Sequence, residues 1–430
     1  MMKAKVITLG CKVNQYESEA MLSSLLQHGF AAAEDKETAD VVILNSCTVT
    51  AESDRKVRQI FRRAKKDNPD AVMVLTGWEA QAFPEDARRL EEADIILGTS
   101  NRKRLVPDLL AFLSARQRII DIAPHTNDEK FENLNVENFT GRTRAFVKIE
   151  DGCNRFCSYC IIPYARGRVR SKPLEDLKAE LAGLGANGYK EVVLTGINLS
   201  AYGQEFGLHL CDAIEAACAT PGIERVRLGS LEPEQLSEDV IRRMAKQKKL
   251  CPQFHLSLQS GCDATLKRMN RHYTADEYRT IVRNLRAAFE NAAITTDIMV
   301  GFAGETDEEF AESLAFAEEI AFAKVHVFAY SRRPGTRAYD MGDQLTNAVK
   351  EARSHEMIRV TTATQQAFFK AQIGRTEEVL FEREIQKGVW EGYSMNYTPV
   401  AVASGTSLAG EIRSVRIESC TDTHCMGIVL

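Results

Sequence analysis

Cys153-Asn154-Arg155-Phe156-Cys157-Ser158-Tyr159-Cys160 carries three thiols in a C-x-x-x-C-x-x-C spacing. Thiolates are the usual protein ligands of iron–sulfur clusters, and most such clusters take four. Three thiols this close can hold three irons of a cubane and leave the fourth open. An open iron is what a chelating cosubstrate needs. Zinc is the alternative metal, and a structural zinc site requires a fourth ligand at suitable spacing. The nearest other candidates, His125 and His209, are far along the chain. The triplet therefore reads as the holder of a 4Fe-4S cluster.

Two more cysteines sit at chemically suggestive places. Cys11 follows the apolar run Val6–Leu9, and Cys47 follows Val41–Leu44. If both runs are neighbouring strands of an open parallel sheet, both thiols lie at its ligand-binding carboxyl edge. Cys211, Cys218, Cys251 and Cys262 fall within regular segments and read as structural thiols. Cys420 and Cys425 flank His424, which is too small a donor set in a short tail to favour a metal.

These residues must be positioned by more than one folding unit, because the chain has 430 residues. Over 1–125, Val6–Leu9, Val41–Leu44, Val72–Leu75 and Ile95–Leu97 read as buried strands. Glu17–His28, Asp54–Lys66 and Pro84–Leu90 read as helices between them. Apolar runs without alternation, separated by helices, predict a doubly wound parallel α/β domain. Residues 126–143 are polar, with Asn127, Asn133, Asn135 and Asn138, and read as a linker.

A second pattern fills 144–372. Strands are expected at Ala145–Ile149, Glu191–Leu194, Arg225–Gly229, Phe254–Leu258, Ile294–Val300 and Lys324–Tyr330. Helices are expected at Leu174–Leu184, Leu210–Ala219, Ser237–Lys246, Ala275–Phe289 and Asp307–Ile320, then a helical extension over 345–372. Six β/α repeats predict a partial or full β/α barrel, with the cysteine triplet directly after its first strand at the C-terminal face. From 373 to 430 short strands recur, at Glu378–Phe381, Gly392–Tyr397, Val400–Val402 and Ser414–Ile417, which predicts a small all-β module.

Hydrophobic residues make up 44%, charged residues 27%, and the net charge is −5, so overall charge does not announce a nucleic-acid partner. No run of about 18 apolar residues predicts a membrane span. A cytoplasmic location is expected, where cysteines serve as thiols or metal ligands rather than disulfides.

The triplet and the segment Ile161–Ser171 that follows it resemble the radical-SAM core of the tRNA methylthiotransferases. Leu9-Gly10-Cys11-Lys12-Val13-Asn14-Gln15-Tyr16-Glu17, Asn45–Thr50, Thr195-Gly196-Ile197-Asn198-Leu199, Leu256–Gly261, Asp297–Phe302 and Tyr330–Thr336 match the same family in the same order. The resemblance spans essentially the whole chain. It implies that Cys153, Cys157 and Cys160 hold a cluster that donates an electron to S-adenosylmethionine. The adenosyl radical formed would abstract hydrogen from an adenine carbon. By the same resemblance, Tyr159, Thr195, Gly196, Asn198 and Gln259 would meet the cosubstrate.

Cys11 and Cys47 would bind a second 4Fe-4S cluster that handles sulfur. The implied partners are a tRNA anticodon stem-loop, a reductant protein such as a flavodoxin or ferredoxin, and a sulfur donor. Gly10–Tyr16, Cys262-Asp263 and Gly392–Tyr397 resemble the branch acting on threonylcarbamoyladenosine. The isopentenyladenosine and ribosomal-protein branches share the core chemistry. The C-terminal module resembles a TRAM domain, an RNA-binding β-barrel.

One position departs from the family. A third cysteine is expected after the next strand, in a Gly-Cys pattern, and here Trp78 follows Gly77. An indole does not ligate iron, and Glu79 is a hard oxygen donor. The alternative is thus a relative that cannot insert sulfur.

For the RNA, Arg166, Arg168 and Arg170 beside the triplet, and Arg332 and Arg333 on the same rim, are expected to meet phosphates. The stretch from Arg55 to Lys66 holds no acid and divides between surface and a second phosphate site. Residues 376–430 carry eight acids against four Lys or Arg, so Tyr393 and Tyr397 are expected to act by stacking on bases.

Overall fold

The structure is a computed structural model that describes every residue except 35, 36, 49, 135, 137, 138, 140 and 141, together with the side chain at 51. Val49 of the Asn45–Thr50 match and Asn135 and Asn138 of the linker lie outside the described residues.

Six parallel strands form the first sheet in the order β2-β1-β3-β4-β5-β6. They are β1 (Lys3–Thr8), β2 (Ala31–Ala32), β3 (Val41–Ser46), β4 (Val72–Gly77), β5 (Ile95–Leu97) and β6 (Ile119–Asp121). Alternate residues of each strand supply opposite faces. Val41, Ile43, Val72 and Val74 join Leu25, Leu105 and Leu109 in one core. Val42, Leu44, Met73 and Leu75 join Val57 and Phe61 in the other. This is the doubly wound architecture that the apolar runs predict.

Helix α1 spans Lys12–Gln27, so it begins before the expected Glu17. The reason is local: Asn45 Nδ2 donates to Asn14 O (3.0 Å), and Asn14 Nδ2 donates to Ser46 O (3.1 Å), pinning the first turn to β3. Helix α2 spans Ala51–Asp67 and is amphipathic, with Val57 and Phe61 inward and Arg55, Lys56, Arg62 and Arg63 exposed. A helix at Leu105–Ala115 carries no clear polar stripe and was not expected.

The second unit begins with β7 (Arg144–Lys148), whose continuation β8 (Glu150–Asp151) pairs with β9 (Arg170–Ser171). Then come β10 (Glu191–Thr195), β11 (Arg225–Leu228), β12 (Ser230–Leu231), β13 (Gln253–Leu256), β14 (Ala293–Val300) and β15 (Lys324–Ala329). All pair in parallel, as β11-β10-β7 and β12-β13-β14-β15. Only Gly229 separates β11 from β12, and a Val226↔Leu250 bridge continues the ladder. Among the described residues β7 and β15 are not paired with each other, so the barrel is partial. Its outward residues, including Val192, Phe254, Ile294 and Ile298, pack with the surrounding helices in one core.

Five antiparallel and parallel pairings close the last barrel: β16 (Thr376–Gln386), β17 (Val389–Ser394), β18 (Pro399–Ala403), β19 (Ile412–Cys420) and β20 (Cys425–Val429). Strand β20 was not expected. Tyr397 lies beyond β17 in a turn with φ 67°, not within a strand Gly392–Tyr397. Phe369 from the long helix Asn347–Lys370 enters the core of this barrel. Among the described residues no helix is long and apolar enough to cross a membrane.

Candidate iron–sulfur and cosubstrate site

The cysteine loop leaves β8 through Gly152 at φ +85°. A Cβ there would lie 1.9 Å from Arg168 O, so the turn requires glycine. Phe156 takes φ 48°, and Asn270 Nδ2 donates to the carbonyls of Arg155 (3.3 Å) and Phe156 (3.2 Å), holding that strained turn. Ser158 N donates to Met269 O at 2.9 Å. The loop is fixed from the segment 268–271.

Burial pushes the Cys153 thiol up to about 12, and raises Cys160 with the help of Cys157 and Cys153 beside it. The three thiols therefore sense one another. Arg271 Nη1 donates to Cys157 Sγ at 3.3 Å and is itself paired with Glu232. Sequence reasoning missed Arg271, because nothing in its spacing links it to the triplet. Among the described residues no three His, Cys, Asp or Glu side chains gather as a single ion requires. A cubane, larger than an ion, spaces its thiolates more widely. The donor set, three thiols with no fourth, fits a 4Fe-4S cluster with one open iron.

Beside the triplet, the ends of β8 and β10 form a tight polar edge. A Cβ on Gly196 would lie 2.7 Å from Glu150 Oε2. Asn198 N donates to that oxygen at 2.6 Å, while Glu150 Oε1 and Asn198 Oδ1 are buried with no hydrogen-bond partner among the described residues. Burial raises the Glu150 carboxyl well above the usual range. Two orphaned polar atoms at one edge are what a polar cosubstrate would satisfy. Gln259, at φ 71°, bridges β13 to β14 by donating to Asp297 O (2.9 Å) and accepting from Met299 N (2.8 Å). Tyr159 packs edge-on to Phe302 at 6.3 Å. Glu150 is an addition to the expected set.

The N-terminal edge differs. Pairing of Ser46 with Gly77 sets Trp78 beside Cys47, and a Cβ on Gly10 would lie 3.0 Å from Cys47 Cβ. Three adjacent strand ends thus bring Cys11, Cys47 and Trp78 together. Trp78 is buried against Cys47 and Ala165, with the Arg166 guanidinium 4.7 Å from its ring centroid. Trp78 opens the short helix α3 (Trp78–Ala82). Glu79, next in that helix, has its carboxyl toward Arg58 (3.5 Å) of α2, and burial, then Asp54, raises it to about 7. Two thiols and an indole do not fit a three-cysteine cluster.

Residues 147–317 match the Radical SAM superfamily, and residues 3–98 match Uncharacterized protein family UPF0004. Threonylcarbamoyladenosine tRNA methylthiotransferase MtaB of Bacillus subtilis (strain 168) is 36% identical over 95% of this chain and 92% of its own. The MtaB of Thermotoga maritima is 37% identical over 98% and 96%. The tRNA-2-methylthio-N(6)-dimethylallyladenosine synthase of Pelotomaculum thermopropionicum is 34% identical over 100% and 98%. The chain belongs to the radical-SAM tRNA methylthiotransferase family. Among solved structures, the radical S-adenosylmethionine methyltransferase TsrM from Kitasatospora setae aligns with a TM-score of 0.59 at 15% identity, over 79% of this chain and 75% of its own. The cobalamin-dependent enzyme OxsB aligns at 0.51 and 10%, over 85% and 56%. Both likenesses concern the fold alone. A 4Fe-4S cluster and S-adenosylmethionine are the cofactors of this family, in keeping with the donor set at Cys153, Cys157 and Cys160.

Several family arginines do not reach the surface. Arg166 is fully buried, bound to Glu17 through Nη1 and through Nη2 (2.9 Å), and 3.3 Å from Asp151. Lys148 pairs with Glu17 (2.8 Å) and Asp151 (2.7 Å), and Arg102 pairs with Glu17 (3.1 Å). Arg170 is buried and donates to Arg166 O (2.6 Å). Arg333 is buried against Asp54 (2.6 Å) and Thr48 (2.6 Å). These three are corrections to the expected phosphate contacts: their charges are spent on acids between the first unit and the barrel. Arg168 and Arg332 are exposed.

Tyr393 and Tyr397 are also corrected. Their rings stack on each other at 4.5 Å, with Arg144 5.2 and 5.0 Å from their centroids and Arg227 4.7 Å from Tyr397. Arg225 and Arg227 donate to the carbonyls of Tyr393, Ser394 and Met395. The half-buried pair lines a solvent-open cavity, whose wall includes the exposed Lys324, His326 and Phe328. That cavity, about 800 Å³, runs from Cys11, Thr195 and Gly196 along the concave face of the barrel to the Tyr393–Pro399 turn. The other cosubstrate candidates and the triplet do not line it. Its barrel wall is polar: Gln253, His255, Thr295, Asp297, Lys324 and His326 point inward. Sequence reasoning missed these; the available signal was polar residues at alternate positions in otherwise apolar strands.

Proposed function

We propose that this chain adds a methylthio group to the adenine ring of threonylcarbamoyladenosine next to the tRNA anticodon. The observation that carries it is the three-thiol loop with an orphaned polar edge beside it, whose Thr195 and Gly196 line a cavity of about 800 Å³. Relatives named for that activity, matched over nearly their whole length, support it. Bound at Cys153, Cys157 and Cys160, the cluster supplies one electron to the sulfonium of S-adenosylmethionine. The protein's residues hold the partners: Gly152 and Asn270 fix the loop, Arg271 donates to Cys157 Sγ, and Glu150 with Asn198 meets the cosubstrate.

A reductant protein such as a flavodoxin or ferredoxin and a sulfur donor complete the reaction, and the location is cytoplasmic. The work divides along 1–125 for sulfur handling, 126–143 as linker, 144–372 for radical chemistry and 373–430 for RNA. Mass spectrometry of tRNA nucleosides from cells with and without the gene tests the reading. Loss of the methylthio nucleoside supports it, and an unchanged profile defeats it.

Trp78 favours a second reading, in which the chain cleaves S-adenosylmethionine without inserting sulfur. Anaerobic reconstitution separates them: about eight irons per chain support the first, and about four support the second.

A further inference from the structure

The cavity carries more positive charge than its own acids neutralise. Of the two acids among its described lining residues, Glu391 pairs with Arg383 at 2.8 Å and Asp297 lies 3.4 Å from His255 Nε2, which leaves one carboxylate against Lys12 and Lys324. Glu191, close by, is held by Arg227 (2.7 Å) and Arg225 (3.1 Å), and Glu382 by Arg144 (2.5 Å). Lys12, at the start of α1, and Lys324, at the start of β15, line the same cavity. Among the described residues neither has a carboxylate within ion-pair distance. His326, which faces Asp297, His255, Lys324 and Lys12, stands between them.

The placement along the barrel adds direction. Thr195 and Gly196 close the C-terminal end of β10, whereas Gln253, Ala293 and Lys324 open the N-terminal ends of their parallel strands. One end of the cavity therefore adjoins the cosubstrate edge and Lys324 stands at the other, while Lys12, though next to Cys11, is acted on by Arg144, Arg227 and Glu191, at or near the N-terminal ends of β7, β11 and β10. A base held near the first end directs its substituent toward the second. A prenyl substituent there would strip water from lysine and histidine and return nothing. A carboxylate would supply the missing counter-charge.

We infer that Lys12, supported by Lys324 and His326, is the specificity-determining group that recognises a carboxylate on the base substituent. This rests on the methylthiotransferase reading and deepens it, selecting an anionic amino-acid-bearing adenosine over a prenylated one. The same cations would also attract a backbone phosphate, so the test separates the two anions.

Reconstituted holoenzyme is titrated with three anticodon stem-loop RNAs. They carry threonylcarbamoyladenosine, its carboxamide analogue, or isopentenyladenosine. The wild type is expected to bind the carboxylate RNA about ten-fold more tightly than the carboxamide. Lys12→Gln removes that preference and leaves the other two affinities in place, while Lys12→Arg keeps it. Lys324→Gln, on the opposite wall and away from Cys11, weakens the preference in the same direction. Equal loss for all three RNAs, which is a phosphate contact, overturns the inference. So does a wild type that ignores the carboxamide change. An unchanged nucleoside profile with the preference intact would defeat the proposed function alone; a lost methylthio nucleoside with a Lys12→Gln enzyme that still discriminates would defeat this inference alone.

Discussion

The two cysteine sites are built by the same device and finished differently. Each sets thiols just past the carboxyl ends of parallel strands, the edge where such sheets bind ligands. At the barrel, one loop brings Cys153, Cys157 and Cys160 together, and residues from elsewhere serve it: Asn270 holds its strained turn and Arg271 touches Cys157. At the N-terminal sheet three strand ends converge, and the third delivers Trp78, whose ring is occupied by Arg166. A ligand site supported by its neighbours is thus set beside one whose last position has become part of the core. Strand topology can bring residues to a site, but the side-chain type decides whether a metal can use it.

The sharpest way to break the comparison is Cys157→Ala. It removes one of three ligands and the sulfur that Arg271 contacts. We expect formation of 5′-deoxyadenosine from S-adenosylmethionine to be abolished and about four irons per chain to be lost; retained cleavage would refute the assignment. The counterpart is Trp78→Cys. It gives the N-terminal edge its third thiol, and under the second reading iron per chain is expected to rise from about four to about eight after reconstitution. The apoprotein pays with a buried indole, about 3 kcal/mol in a urea melt. Unchanged iron would mean that the edge is closed for reasons other than Trp78.

Much of this contrast was readable in the sequence. The triplet, the doubly wound sheet and the β/α alternation follow from local spacing and apolar runs, which act over few residues. The cavity did not, because it is made by residues from all three regions, such as Lys12, His326 and Tyr397, that only the fold brings together. Local charge misled in one respect. Arg166, Arg170 and Arg333 look like a phosphate rim, yet Glu17 and Asp54, partners of Arg166 and Arg333, lie far away in sequence, and Asp151 meets Arg170 through the β8–β9 pairing. Strand β20 was missed because it is only five residues long, Cys425–Val429, with Gly427 in its middle.

The join between the two sites can also be loosened. Burial alone would raise Glu17, but Arg102, Arg166 and Lys148 outweigh it and hold it at about 2, against the usual 4.5. A carboxyl depressed on folding stabilises the protein above its unfolded value and loses that contribution as pH falls through the folded one. The window is therefore pH 4.5 down to about 2, worth about 3 kcal/mol in total. Glu17→Gln strands three buried cations and should cost about 3–5 kcal/mol at neutral pH. Thermal melts at pH 7 and pH 4 check both parts: the variant melts lower at pH 7, and its deficit narrows at pH 4. Equal melting at pH 7 would mean that the buried charges are not what joins the sheet to the barrel.

The smallest effect separates two neighbouring arginines that the sequence presents as equals. Arg168 is exposed, and its Nε donates to Asn127 Oδ1 at 2.8 Å. Arg166 is enclosed by acids. Arg168→Ala should leave the melting temperature within a degree or so, since exposed substitutions shift stability by about 0.5 kcal/mol or less. Its mark should fall on RNA affinity: a few-fold loss at low salt, and a salt slope reduced by about one if it meets a single phosphate. Arg166→Ala should do the reverse, lowering the melting temperature while the RNA affinity of the fraction that stays folded keeps its salt slope. Filter binding across a salt series, beside melts of the same preparations, reads both. A change of slope at Arg166 with none at Arg168 would return the phosphate contact to the interior and undo the distinction between the two residues.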